Sequence, residues 1–333
     1  MGRLRRAAAY TDAMFRLTVI ALVVSIAAGC SVVSIDLTPR IRPLEEQTVD
    51  GRGDAKILLM DVSGFLTDDL DSGGLTIGAA PPRVPLLVRV REELEKASED
   101  RKLKAVVLKI NSPGGTVTAS DILYHELDDF RRRTKLPLIA VMMDVAASGG
   151  YYLALAADTI MAHPTSVTGS IGVIMVTVNA DGLLQKIGVT TAAIKSGPLK
   201  DMGSPLRALT PEERAIFQSV IDDLYGQFVA KVAERRRIPL ETAKKLGDGR
   251  IYTAQQALAD KLVDRIGYIP DALDLARKAA GVTEARVVVY QRPRDYRATY
   301  YAGSKSDTGF EIPFARLAAL VTSGPKFLYL WWP

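Results

Sequence analysis

Residues Lys104–Asp158 read KAVVLKINSPGGTVTASDILYHELDDFRRRTKLPLIAVMMDVAASGGYYLALAAD. Two unbroken apolar runs, Lys104–Ser112 and Pro137–Val145, are strand-like in length and rich in β-branched residues. Each ends in a glycine-containing loop, NSPGGTV (Asn111–Val117) and AASGG (Ala146–Gly150). Each loop opens a helical pattern, Thr118–Arg133 and Gly149–Asp158. A strand that is apolar on both sides and returns through a helix belongs to a parallel sheet covered on both faces. The same alternation extends outward. Lys56–Gly64 reads as a strand and Pro85–Asp100 as a helix, and TIMAHP (159–164) and GVIMV (172–176) read as short strands. The fold class is therefore α/β with mainly parallel strands.

Beyond the sheet the chain turns helical. In LTPEERAIFQSVIDDLYGQFVAKVAERRR (Leu209–Arg237), Thr210 is an N-cap, Pro211 sits at the first helical position and Glu213 closes a capping box. Ile216, Val220, Leu224, Phe228 and Val232 recur every four residues and predict a core-facing stripe. TAQQALADKLVDRIGYIPDALDLARKAAG adds two shorter helices, and Arg286–Arg292 is a late strand. No internal repeat of the α/β unit is visible.

The 333 residues are 48% hydrophobic and 24% charged, with a formal net charge of +5. Arg3, Arg5, Arg6 and Arg16 against Asp12 put +3 of that charge in the first 29 residues, leaving +2 for the rest. A near-neutral body argues against a nucleic-acid surface. The densest basic run, ERRRIP (Glu234–Pro239), reads as a solvated helix face. At the N-terminus, basic residues precede the apolar stretch LTVIALVVSIAA (Leu17–Ala28) and then AAGCS, the pattern of an export signal. Cys30, the lone cysteine, follows Ala28-Gly29 as a lipidated cysteine would, with Ala27 where a large aliphatic residue is usual. Apolar character runs on to Ile35, so an uncleaved membrane anchor is the alternative. Either tethers the body to a membrane outside the cytoplasm. The expected organisation is a signal segment (1–30), a polar linker ending in a short edge strand (31–54), an α/β body (55–281) and a C-terminal strand with an apolar tail (282–333).

Ligands bind at the carboxyl ends of strands in such sheets. Ser148 stands there, at the end of the Pro137–Val145 run, and is the candidate nucleophile. The N–H of Gly149 opens the following helix, and Gly114-Gly115 can adopt backbone angles that aim N–H groups at a ligand. Together they are candidates for an oxyanion hole. A serine nucleophile needs a base. His163 precedes Pro164 and has no acidic partner in view, and His125 lies mid-helix among solvated charges. Two lysines remain in IKSGPLKDMGSP (Ile194–Pro205): Lys195 and Lys200. A lysine serves as base when burial without a counter-charge lowers its pKa from about 10.4 toward 7. Asp201 is adjacent to Lys200, but neighbouring side chains on extended backbone point apart. Spacing alone does not choose between the lysines. No metal or cofactor is expected.

Six segments, KINSPGGTVTASD, DVAASGGYYLALAAD, TGSIGV, IKSGPLKDMGSP, LTPEE and GDGRIYTAQQALADKLVDRIG, resemble in that order the signal peptide peptidase A family. These are serine proteases of peptidase family S49, related in fold to the Clp protease and the crotonases, and the resemblance covers about 54–281. It implies repeated ββα units in a single-repeat short form and a Ser–Lys dyad. Ser148 matches the nucleophile, Lys200 the general base and Ser170 the serine that orients the lysine. Gly149 and Gly114 or Gly115 match the oxyanion donors, and Asp201 takes a structural or subunit-contact role. It further implies homo-oligomers in which serine and lysine come from neighbouring subunits, with leftover signal peptides at the membrane as substrates. Other expectations are a protease for misfolded or other membrane-associated proteins, a crotonase-like acyl-CoA enzyme, or an inactive scaffold. The tail FEIPFARLAALVTSGPKFLYLWWP, with Trp331 and Trp332, is expected on the membrane, in the peptide groove, or against its own domain or a neighbouring subunit.

Overall fold

A computed structural model of the chain describes residues 42–68, 84–293, 299–302 and 326–331. The export signal, Cys30 and Trp332 lie outside the described residues. The central sheet takes the order β1 (Glu45–Asp50), β11 (Arg286–Gln291), β2 (Lys56–Ser63), β3 (Leu103–Ser112), β5 (Leu138–Ala147), β6 (Thr159–Ala162), β10 (Arg265–Ile266). From β11 to β10 every pairing is parallel, and only β1 closes the edge antiparallel. β7 (Val167–Gly169) pairs parallel with the far end of β5, and β9 (Ile251–Thr253) pairs antiparallel with β7. This is the mixed α/β, mostly parallel architecture expected of the Clp protease/crotonase-like fold.

The apolar runs are explained by burial on both faces. Leu58, Met60, Leu108 and Ala140 face one core, shared with helices α1 (Leu86–Glu99), α2 (Val117–Thr134), α3 (Gly149–Ala154) and α5 (Pro211–Arg236). Ile57, Leu59, Val107, Ile139 and Val141 face the other, against Ile269, Leu273 and Ala276 of α8 (Ile269–Ala279). Along the chain, α4 (Asp181–Lys186) precedes α5, and α6 (Leu240–Leu246) and α7 (Ala254–Ala259) follow it. Among the described residues no helix is long and apolar enough to cross a membrane.

Two sequence expectations change. In α5 the capping box of Thr210 and Glu213 forms as read, but the four-residue stripe does not stay on one side. Phe228 and Val232 are buried, whereas Val220 is exposed and Phe217 takes the inward position near the start. Steps of four residues advance 400°, so each drifts about 40° and five such residues cannot share one face. The ERRR run is a latch rather than a solvated face. Arg235 donates to the carbonyls of Leu155 (2.6 Å) and Ala157 (3.1 Å), closing the end of α3, and Arg236 pairs with Asp264 (2.6 Å) and the Lys261 carbonyl (2.8 Å).

A second, smaller sheet is antiparallel: β4 (Gly114–Thr116), β12 (Phe327–Leu330), β8 (Ile174–Met175). Its middle strand comes from the far C-terminal end of the chain, and it crosses the region where the loops after β3 and β5 meet.

Candidate active site

Ser148 is the single residue between β5 and α3. Its φ of 52° and ψ of −114° are conformations that residues with a side chain avoid, at a cost of roughly 1–3 kcal/mol. Two backbone bonds impose them. The Ser148 N–H donates to the Gly169 carbonyl (2.7 Å), and the Ser148 carbonyl accepts the first helical bond from the Tyr152 N–H (2.8 Å). The turn thrusts the Ser148 hydroxyl off the strand end. It is buried, with no hydrogen-bond partner for Oγ. A buried hydroxyl left unpaired carries a desolvation penalty, which marks a group held ready for an incoming partner.

Glycines let the surrounding loops close in. Gly114 has φ +101°, and a Cβ there would lie 2.7 Å from the Gly149 nitrogen and 1.9 Å from the Tyr329 carbonyl oxygen. A Cβ on Gly149 would meet Ser120 Oγ at 2.4 Å, and one on Gly115 would meet the Leu66 carbonyl oxygen at 1.9 Å. Gly114 therefore lies against Gly149, the residue after Ser148, with Gly115 next to it in the chain. The Gly114 N–H donates to Ser112 Oγ (3.0 Å), which in turn donates to the Gly64 carbonyl (2.6 Å). Ser112 escaped the sequence reading, because nothing in NSPGG marks the serine apart from its neighbours.

Ser170 reaches the same place through sheet register. Ala147 of β5 pairs with Gly169 of β7, so Ser148 and Ser170 follow partnered residues. Both are buried and both have positive φ, 49° in Ser170, whose N–H donates to the Arg250 carbonyl at 2.7 Å. The histidines lie elsewhere. His163 contacts Thr165 Oγ1 (2.9 Å) and stacks edge-on with Tyr268, and His125 is exposed on α2.

The lysines separate sharply. Lys195 Nζ bonds Asp201 Oδ1 at 2.6 Å and the Pro198 carbonyl at 2.9 Å. Lys200 is exposed, and among the described residues its ammonium has no ion-pair or hydrogen-bond partner. Asp201 does not sit on extended backbone. It lies in a run of turns and bonds Arg207 as well as Lys195, not Lys200. Because Ser148 Oγ is without a partner, Lys200 does not bond it within one chain. The segment carrying Lys200 and the helix before it bury little apolar surface. Helix α4 buries no side chain, Leu183 and Ile187 are each 63% exposed, and Ile194 is fully exposed.

The cleft beside Ser148 is filled by β12. Leu330 pairs with Gly114, Tyr329 with Gly115 and Leu328 with Thr116, while Leu328 and Phe327 pair with Ile174 and Met175. The Trp331 N–H donates to the Pro113 carbonyl (2.9 Å). The Tyr329 ring enters a cluster with Phe228 (4.6 Å) and Tyr152 (5.3 Å), and its hydroxyl donates to the Leu224 carbonyl (3.0 Å). This strand of the tail thus packs against its own domain, beside Ser148.

The chain is similar to known proteins. The family model described as peptidase family S49 matches residues 130–283, a span containing Ser148, Ser170 and Lys200. A protein of Enterococcus faecium named as a signal peptide peptidase, SppA, is 37% identical over 261 residues, covering 78% of this chain and 74% of that one. A protein of Synechocystis named as a protease is 45% identical over 192 residues, 58% of this chain and 69% of its own. Another so named, from Methanocaldococcus jannaschii, is 33% identical over 266 residues, 79% and 84% of the two chains.

Proposed function

Since this chain belongs to peptidase family S49, the signal peptide peptidase A family, and is a serine-type peptidase, we propose that it hydrolyses extended apolar peptides, leftover signal peptides among them, at a membrane surface. The observation that carries the reading is β12. An extended, apolar segment lies as the middle strand between β4 and β8, directly beside an unpartnered buried serine. Strand addition of this kind is a general mode of peptide capture.

In the proposed mechanism neutral Lys200, oriented by Ser170, removes the Ser148 proton as Oγ attacks the peptide carbonyl. The N–H of Gly149 and that of Gly115, or of Gly114 once released from Ser112, stabilise the oxyanion. Lys200 then gives the proton to the leaving amine, and water, deprotonated by Lys200, hydrolyses the acyl-enzyme. Two features support a base supplied by a second copy of the chain. Ser148 is complete apart from a base, and the exposed Lys200 segment carries apolar side chains suited to a subunit contact. Cys30 and the apolar stretch before it support the membrane tether, as a lipidated cysteine or an anchor.

A fluorogenic peptide assay on wild type, Ser148→Ala and Lys200→Ala tests the dyad. Loss of cleavage in both variants is expected, and full activity in Lys200→Ala would overturn it. Mixing the two inactive variants is expected to restore cleavage if subunits share sites. Acyl labelling that disappears in Cys30→Ala is the result expected of a lipoprotein.

A further inference from the structure

Lys200 rides on successive tight turns. Its N–H donates to the Gly197 carbonyl (3.2 Å), Met202 to Leu199 (3.1 Å) and Ser204 to Asp201 (3.0 Å). With α4 burying nothing, the hydrophobic core does little to hold this segment. A charge cluster does. The Asp201 carboxylate takes Lys195 Nζ (2.6 Å) and Arg207 Nη2 (2.8 Å) on one oxygen and Arg207 Nε (3.0 Å) on the other. The same guanidinium reaches forward to Glu213, with Nη1 3.0 Å from Oε2 and Nη2 in contact with Oε1. Glu213 is buried and is itself fixed by the capping box, accepting from the Thr210 N–H at 2.9 Å. Arg207 thus joins the Lys200 turn to the first turn of α5, in the forked geometry that lysine cannot reproduce.

The cluster has a second effect. An amine accepts a proton only when neutral, and an unpaired carboxylate nearby favours the ammonium form. Asp201 is the nearest carboxylate in sequence, and both of its oxygens are engaged by other cations. The hydrogen bonds from Arg207 and then Lys195 hold its carboxyl well below the usual range. The charged groups around the turn are Lys195 and Asp201 on its own segment and Arg207 and Glu213 leading into α5.

We propose that Arg207, with Lys195, is a positioning residue for the peptidase reaction: it pins the Lys200 turn to α5 and keeps Asp201 occupied, so that Lys200 has no counter-charge. The proposal rests on Lys200 being the base. The test measures kcat/KM against pH for the full chain with a fluorogenic peptide. In Lys195→Met/Arg207→Met, Asp201 is released, and the acid limb is expected to move to higher pH by about one unit, the smaller end of a charge-pair effect. Adding Asp201→Asn is expected to return the limb toward its wild-type position. If the double variant does not fold, Arg207→Lys keeps a cation beside Glu213 without the fork, and a smaller shift in the same direction is expected. A limb that stays at the wild-type position in the folded variant overturns the proposal, whether or not the rate falls. Lys200→Ala separates the two ideas. If it is inactive while the limb stays put, the positioning role alone fails; if it is active, the assignment of the base fails first.

Discussion

Replacing Tyr329 by alanine is expected to open the cleft to substrate. Tyr329 is 2% exposed, so docking β12 buries nearly the whole ring. Burial of such a side chain contributes about 2–3 kcal/mol. Its contacts with Phe228 and Tyr152 add roughly 1 kcal/mol, and aromatic-to-alanine changes in cores typically cost about 3–5 kcal/mol. Taking about 3 kcal/mol, the docking constant of the tail falls roughly 150-fold, since 1.4 kcal/mol is tenfold. A tail that competes with peptide for one cleft raises the apparent KM and leaves kcat alone. In a fluorogenic peptide assay, Tyr329→Ala is therefore expected to lower KM at least tenfold, with about 150-fold as the ceiling, and a chain lacking residues 326–333 to do the same. Because the ring also packs on Phe228 in the core, each variant needs its unfolding transition measured alongside. Folded variants whose KM values both stay within about twofold of wild type would refute competition for the cleft.

Gly114→Ala is expected to lower kcat by about a hundredfold, because the new Cβ meets the Gly149 nitrogen at 2.7 Å on a backbone with φ +101°; tail deletion should not rescue it. Ser148→Gly is expected to abolish cleavage yet raise stability by about 1 kcal/mol in urea unfolding, because glycine adopts positive φ without strain. Glu213 is pulled from 4.5 down to about 2 by Arg207 and the Thr210 N–H. A depressed carboxyl stabilises the fold fully above its unfolded pKa and loses that contribution as pH falls through its folded one. The stability gap between wild type and Glu213→Gln is therefore expected to be full above about pH 4.5 and to close toward pH 2 in urea unfolding.

Much of the fold was legible because parallel strands buried on both faces leave continuous apolar runs, and Lys104–Asp158 contains two of them with their helices. Ser148 was legible for the same reason: it ends a strand and precedes two glycines. What sequence spacing could not resolve was contact between segments close in the chain but turned in space. Lys195 and Lys200 look equivalent in IKSGPLKD until Asp201 is seen bonded to the first. Nor could it read contact between segments far apart, since Tyr329 meets Gly115 across more than two hundred residues. Arg235 and Arg236 look like a solvated patch because their acceptors are mostly backbone carbonyls, which a sequence does not display.

The latch formed by those two arginines has a consequence for tolerance. Helix α5 spans 26 residues, about 39 Å at 1.5 Å per residue. Its last turn is bolted to the body by Arg235 and Arg236, and its first turn grips the segment that bears Lys200. With Phe228, Val229 and Val232 buried beside the latch, the C-terminal part of the helix is its best-anchored end. A tilt of about 3° there sweeps the far end through roughly 2 Å, where a misplacement of about 1 Å can cost a hundredfold in rate. A substitution at Arg236, a whole helix away from Lys200, would thus act as an alignment fault, lowering turnover in a protein that still melts as one piece.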